Sequence, residues 1–168
     1  MEQIIQLNSE AKLSEHFMLG EFTKSGSHPE VYNIPSHEAI ENLKRLCPWL
    51  EVLRERYNGI RNACISSSAI TNHAEQPIII NSGYRSPQLN RKIGGQPNSN
   101  HLTGCAVDIR VKDNEQLIVY AAILIQYANE THQDFDELLL EKNKHGAIWL
   151  HFAVRPKENR RKILFVTA

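Results

Sequence analysis

Ser99-Asn100-His101-Leu102-Thr103-Gly104-Cys105-Ala106-Val107-Asp108 is the stretch on which the reading of this chain turns. It opens as a polar loop and runs into Cys105 to Val111, whose alternation predicts a β-strand. His101 then sits where a loop enters a strand, and Asp108 lies on that strand. Far downstream, Trp149-Leu150-His151-Phe152 falls inside a second strand candidate, Ala147 to Val154. Neighbouring strands can bring His101, Asp108 and His151 together. Two imidazoles and a carboxylate suit zinc, and three protein ligands leave a fourth position for water, as in catalytic rather than structural sites. Such a metal activates water and polarises a carbonyl, which points to hydrolysis at neutral pH. Spacing alone leaves a coincidence open, because the chain holds 8 histidines.

Outward from this stretch, helices and strands mix without a regular βαβ alternation. Before it, Leu13 to Phe22 mixes apolar anchors with a cap candidate at Ser14, and a Ser/Gly/Pro-containing loop follows from Ser25 to Pro35. Ser36 caps a predicted helix in which Ile40, Leu43, Leu46, Leu50 and Leu53 share one face, with Pro48 expected to kink or split it. Asn58 to Gln76 reads as a connector with a short strand near Ile65. Pro77 to Asn81 reads as a buried strand, Ser86-Pro87 opens a short helix to about Ile93, and Gly94 to Asn98 is a loop. After it, Asn114 to Tyr127 carries Leu117, Tyr120, Ala121, Leu124 and Ile125 on one helical face. Glu137 to Glu141, Ala147 to Val154 and Lys162 to Val166 are strand candidates. The pattern predicts an α+β fold with a largely antiparallel sheet.

The 168 residues form one expected domain, large enough to hold a core without disulfide or metal. Nineteen Lys and Arg balance nineteen Asp and Glu, so no basic footprint for nucleic acid or anionic lipid is present. No run approaches a membrane span, and Met1-Glu2-Gln3-Ile4-Ile5 lacks the basic and apolar regions of a signal peptide, so synthesis in the cytoplasm is expected. Cys47, Cys64 and Cys105 are odd in number and irregularly spaced; they read as free thiols, with Cys105 buried.

Several motifs in order carry a resemblance to a known family. S-x-H-x-x-G-x-A-x-D at Ser99 to Asp108 is preceded by S-G-Y-R at Ser82 to Arg85, with Asn90 beyond it, and followed by W-x-H at Trp149 to His151. Together they resemble the zinc D-alanyl-D-alanine carboxypeptidases and the related peptidoglycan D,D- and L,D-peptidases. L-S-E-H-F-x-L-x-E-F at Leu13 to Phe22 and N-R-R-K at Asn159 to Lys162 extend the likeness over most of the chain.

The resemblance implies the α+β fold shared with the hedgehog signalling domain, in which a central, mainly antiparallel sheet flanked by helices carries zinc in a cleft. It implies one zinc peptidase-like domain over 1–168, with 1–35 as an arm and loop packed on it, and a monomer. It implies Zn2+ on His101, Asp108 and His151, and an Arg85 fork that suits an oxyanion or a carboxylate. Tyr84, Ser99 and Trp149 become candidate substrate contacts, with packing or loop shaping as the alternative for each. Gly104 reads as a tight turn or a close backbone approach.

One position departs from the pattern. Many relatives carry Glu or Asp three residues before the last zinc histidine, where it moves protons; here that residue is Ile148. His145 and Glu141 are the replacement candidates, with His145 favoured as nearer the ligand in the chain and titrating near neutral pH. The reading is a zinc metallopeptidase acting on peptidoglycan stem peptides or other D-Ala-D-Ala-containing peptides, as a carboxypeptidase or a cross-link endopeptidase. Because peptidoglycan lies outside the cytoplasm, it acts as an endolysin-like enzyme released in phage or prophage lysis, or on wall-derived peptides in the cytoplasm. A non-catalytic zinc-binding module that recognises a peptide or partner is the rival.

Overall fold

Five short segments with alternating or β-branched apolar residues assemble into one sheet. They are β1 (Ile80–Ser82), β2 (Ala106–Arg110), β3 (Glu137–Lys142), β4 (Ile148–Ala153) and β5 (Lys162–Thr167), in the order β1-β2-β4-β3-β5. In this computed structural model, which describes residues 8–65 and 74–167, β3 and β5 run parallel and every other neighbouring pair is antiparallel. The helices are α1 (Leu19–Thr23), α2 (His37–Ile65), α3 (Pro87–Lys92) and α4 (Asn114–Thr131), with a 3-10 turn at Asn100–Thr103. The α+β class and the mainly antiparallel sheet are as expected.

Strand alternation sorts the sheet into two faces. Val107 and Ile109 of β2, Leu138 and Leu140 of β3, and Leu150 and Phe152 of β4 join the core with Leu43, Leu46, Leu50 and Leu53 of α2 and Leu117, Tyr120, Ala121 and Leu124 of α4. Trp49 anchors this layer, edge-on to Tyr127 and Phe135 and tilted against Phe152. Burying each such side chain contributes roughly 1.5–3 kcal/mol against leaving it in water. Phe17, Leu19 and Phe22 tie the N-terminal segment into the same core. The opposite face is left for Asp108, His151, Glu137 and Glu141.

Four local expectations are corrected. The helix of the first half passes Pro48 without splitting, since Pro48 and Lys44, whose carbonyl loses a donor, are both on the exposed side. Asn58 to Ile65 is helix rather than connector: Tyr57 and Asn58 are buried, and Asn58 holds the Arg54 and Gln76 carbonyls and the Gln76 N–H. Of the proposed strand near Ile65, residues 66–73 lie outside the described residues. Ser14 caps no helix; its hydroxyl donates to Glu51 Oε1 (2.6 Å), while the Glu21 carboxylate accepts from the Met18 N–H at the start of α1. The first strand begins only at Ile80, where an irregularity shifts its register against β2.

Cys47 and Cys105 are buried free thiols. Among the described residues, no helix is long and apolar enough to cross a membrane.

Candidate active site

Local structure delivers each motif residue to one place. Ser99 caps the 3-10 turn, its hydroxyl accepting the His101 N–H (3.3 Å), and Gly104 ends it at φ 73°. That left-handed conformation suits glycine, and a Cβ there would run into the Ala39 carbonyl, so both readings of Gly104 hold. The chain then enters β2 with Asp108 pointing to the face opposite the core. The register pairs Asp108 with His151, His151 with Leu139, and Leu139 with Leu164, so one row crosses β2, β4, β3 and β5.

His101 Nε2 lies 3.2 Å and His151 Nδ1 3.0 Å from Asp108 Oδ1, and the three donor atoms are all within 4.8 Å of one another. All three residues are buried. Two imidazole nitrogens and a carboxylate oxygen converging at the floor of an open cleft fit a zinc ion with a free coordination position. Each histidine is turned by a partner on its far side: His101 Nδ1 is 2.6 Å from the Gly83 carbonyl, and His151 Nε2 is 3.3 Å from Glu137 Oε2.

Arg85 is held over this trio. Its Nη2 donates to Asp108 Oδ2 (2.5 Å), its Nε to Ser82 Oγ (2.9 Å), and its backbone N–H to the His101 carbonyl (3.0 Å). Ser82 of the S-G-Y-R motif thus aims the guanidinium. Asn90 props the facing wall, its Nδ2 donating to the Gln96 carbonyl (2.9 Å) behind Gly94 and Gly95. The cleft measures about 760 Å³ and is lined by Arg85, Ser99, Glu137, Leu139, Glu141 and Trp149 among others.

Electrostatics follow from this packing. Burial raises the Asp108 carboxyl, but His101 and His151 more than offset it, and the group stays far below the usual carboxylate range. Burial lowers His101. Burial also works against a charged His151, yet hydrogen bonds to Asp108 and Glu137 carry it up to about 9. The bond to His151 holds Glu137 down at about 2. Burial pushes Glu141 up.

The structure brings His101, Asp108, His151, Arg85, Ser99, Trp149 and Glu141 to the cleft. Tyr84 packs in the core and is not among the cleft-lining residues. His145 is exposed in the β3–β4 turn, where its backbone N–H donates to Asn143 Oδ1 (2.9 Å), and it does not line the cleft either. Proximity in the chain to His151 does not become proximity in space, because the turn lies at the far tip of the hairpin. Sequence reasoning missed Glu137 and Asn100. Alternation puts Glu137, Leu139 and Glu141 on one strand face, and only the register, with His151 opposite Leu139, makes that the face of the trio.

The Peptidase M15 family model matches residues 15–145, which include Arg85, His101, Asp108 and Glu141. A comparison with curated proteins gives no match. His151 lies beyond the matched residues, and the strand register alone carries it to Asp108. The match spans well over half of the chain, and with the buried His-Asp-His trio beneath it, the chain belongs to the Peptidase M15 family of zinc metallopeptidases.

Proposed function

We propose that this protein hydrolyses D-amino-acid-containing peptides of peptidoglycan, and that several residues of its substrate run across the sheet from the metal. The observation that carries this reading is the His101–Asp108–His151 trio on the floor of an open cleft with the Arg85 fork beside it. Zinc on that trio supplies an activated water and a polarised scissile carbonyl. The chain's own residues do the rest. Arg85 has one arm on Asp108 and lines the cleft, so its remaining donors suit a developing oxyanion or a substrate carboxylate.

Glu141 supports the catalytic reading over that of a binding module. Ile148 cannot move protons, but Glu141 lines the same cleft as Arg85, Asp108 and His151, and burial raises its carboxyl toward the working range of a general base. It takes the proton of the attacking water and returns it to the leaving amine. His145, exposed at the hairpin tip, is not proposed for this role.

The lining favours a cross-link or stem-peptide substrate over a bare dipeptide. From Asp108 the floor continues over His151 and Leu139 to Leu164, three strand spacings or roughly 14 Å. That length takes about four residues of an extended peptide. Trp149 and Ser99 stand along it as contacts. Access to the wall follows release from the cell, and wall-derived peptides offer a cytoplasmic substrate. The purified protein incubated with muropeptides is expected to release D-alanine or open cross-links, to stop on chelation, and to recover with zinc. A zinc-loaded protein that cleaves no muropeptide yet binds one would establish the binding module instead.

A further inference from the structure

We propose that Glu137 is the positioning residue of the metal site, fixing which nitrogen of His151 faces the cleft, and that Arg160 and Asn100 hold it for that purpose. This rests on reading His101, Asp108 and His151 as the metal ligands. Glu137 sits two residues from Leu139, the partner of His151, and so is its diagonal neighbour on the same sheet face. Its Oε2 lies 3.3 Å from His151 Nε2, which turns Nδ1 toward Asp108. A carboxylate on the outer nitrogen fixes tautomer and ring orientation and makes the inner nitrogen a better donor.

The carboxylate is itself clamped from both sides. Arg160 Nη2 donates to Glu137 Oε1 (2.9 Å) and to Asp136 Oδ2 (2.7 Å), while Arg160 Nε reaches Asp136 Oδ1 (2.9 Å). Asp136 is fully buried, so this fork is anchored to a fixed point. Asn100 Nδ2 donates to both Asp136 Oδ2 (2.8 Å) and Glu137 Oε2 (3.0 Å). Because Asn100 precedes His101, one amide links the turn carrying the first histidine to the carboxylate that orients the second. Asn100, Glu137 and Arg160 also line the cleft, and it is through the Glu137–His151 contact that this network reaches the metal site.

The test compares Glu137→Ala and Glu137→Gln with the parent in zinc affinity, by competition with a chromophoric chelator, together with the visible spectrum of the cobalt-substituted protein and the melting of the metal-free protein. Glu137→Ala is expected to bind zinc about 10–100-fold more weakly, with an altered cobalt spectrum. Glu137→Gln keeps an acceptor oxygen for the Nε2–H and is expected to recover much of that loss. Parental affinity in Glu137→Ala overturns the proposal. So does Glu137→Gln binding as weakly as Glu137→Ala with both metal-free variants melting equally low, which makes Glu137 only a structural partner of Arg160. The readout is metal binding, so a parent that binds zinc but cleaves no wall peptide sinks the peptidase reading and leaves this one standing. A parent that binds no zinc sinks both.

Discussion

Asp108 and His151 stand opposite one another on adjacent antiparallel strands, with Asp108 Oδ1 3.0 Å from His151 Nδ1. The first of these strands follows the His101 turn, and the second lies beyond the part of the chain that matches the family. His151→Ala therefore tests the proposed third ligand directly. With one of three protein donors gone, zinc content is expected to fall from about one per chain to near none and muropeptide cleavage to vanish, while far-ultraviolet circular dichroism stays parental. Retention of zinc by this variant would remove His151 from the metal site.

The same contact makes zinc binding depend on pH. Burial works against charge on His151, but Asp108 and Glu137 carry it up to about 9, so its Nδ1 holds a proton that the metal must displace. His101 is lowered by burial and Asp108 is ionised, so neither adds to the proton count. Zinc affinity is expected to fall about tenfold per pH unit below 9, with about one proton released at pH 7 in calorimetry across buffers. The sign for stability runs the other way in the metal-free protein. A raised histidine stabilises the fold below its ordinary value of 6.5, and that contribution is lost as pH rises to about 9. Affinity that stays flat from pH 6 to pH 8 would contradict the protonated trio.

Arg85 is aimed by Ser82 and bonded to Asp108, yet it is no ligand. Arg85→Ala is expected to keep zinc to within about tenfold, since all three donors remain, and to lose turnover by ~10²–10³, the scale of a missing oxyanion donor. Arg85→Lys is expected to recover little, because a single ammonium cannot hold Asp108 and a substrate oxygen as a planar fork does. Full turnover in Arg85→Ala would leave the guanidinium a structural clamp on Asp108.

The metal trio was legible in the sequence through the ordered motifs at Ser82 to Arg85, Ser99 to Asp108 and Trp149 to His151 and the family they resemble, since spacing alone leaves a coincidence open among 8 histidines. The proposed proton-transfer group was less legible. Residues 137–142 read as a strand, but which face meets His151 depends on hairpin register. The register is symmetric about His145, with Asn143 N–H bonded to the Ala147 carbonyl (2.9 Å). That symmetry places His145 at the tip, six residues of extended chain or roughly 20 Å from His151, and sets Leu139 opposite it with Glu137 and Glu141 on either side. Three serines and Gly59 suggested a connector after Asn58, but Gly59 falls on an exposed side of α2, where its propensity cost is small beside the burial of Tyr57.

Glu141→Gln separates catalysis from stability at one position. As general base, Glu141 must be ionised, so the parent's kcat/KM is expected to fall on the acid side as pH drops through its raised value. Glutamine cannot accept the proton; turnover is expected to drop by ~10²–10⁴ and the acid limb to disappear, with zinc content unchanged. Stability moves in the opposite direction. A carboxyl raised by burial means that the fold resists its charge, so the ionised side chain costs stability above its unfolded value, and the neutral amide removes that cost. The metal-free Glu141→Gln protein is thus expected to melt higher than the parent at pH 7, and the gap should close as pH falls and the parent's own carboxyl takes up its proton. A variant that melts lower, or one that turns over at the parental rate, would assign Glu141 to the wall of the cleft rather than to its chemistry.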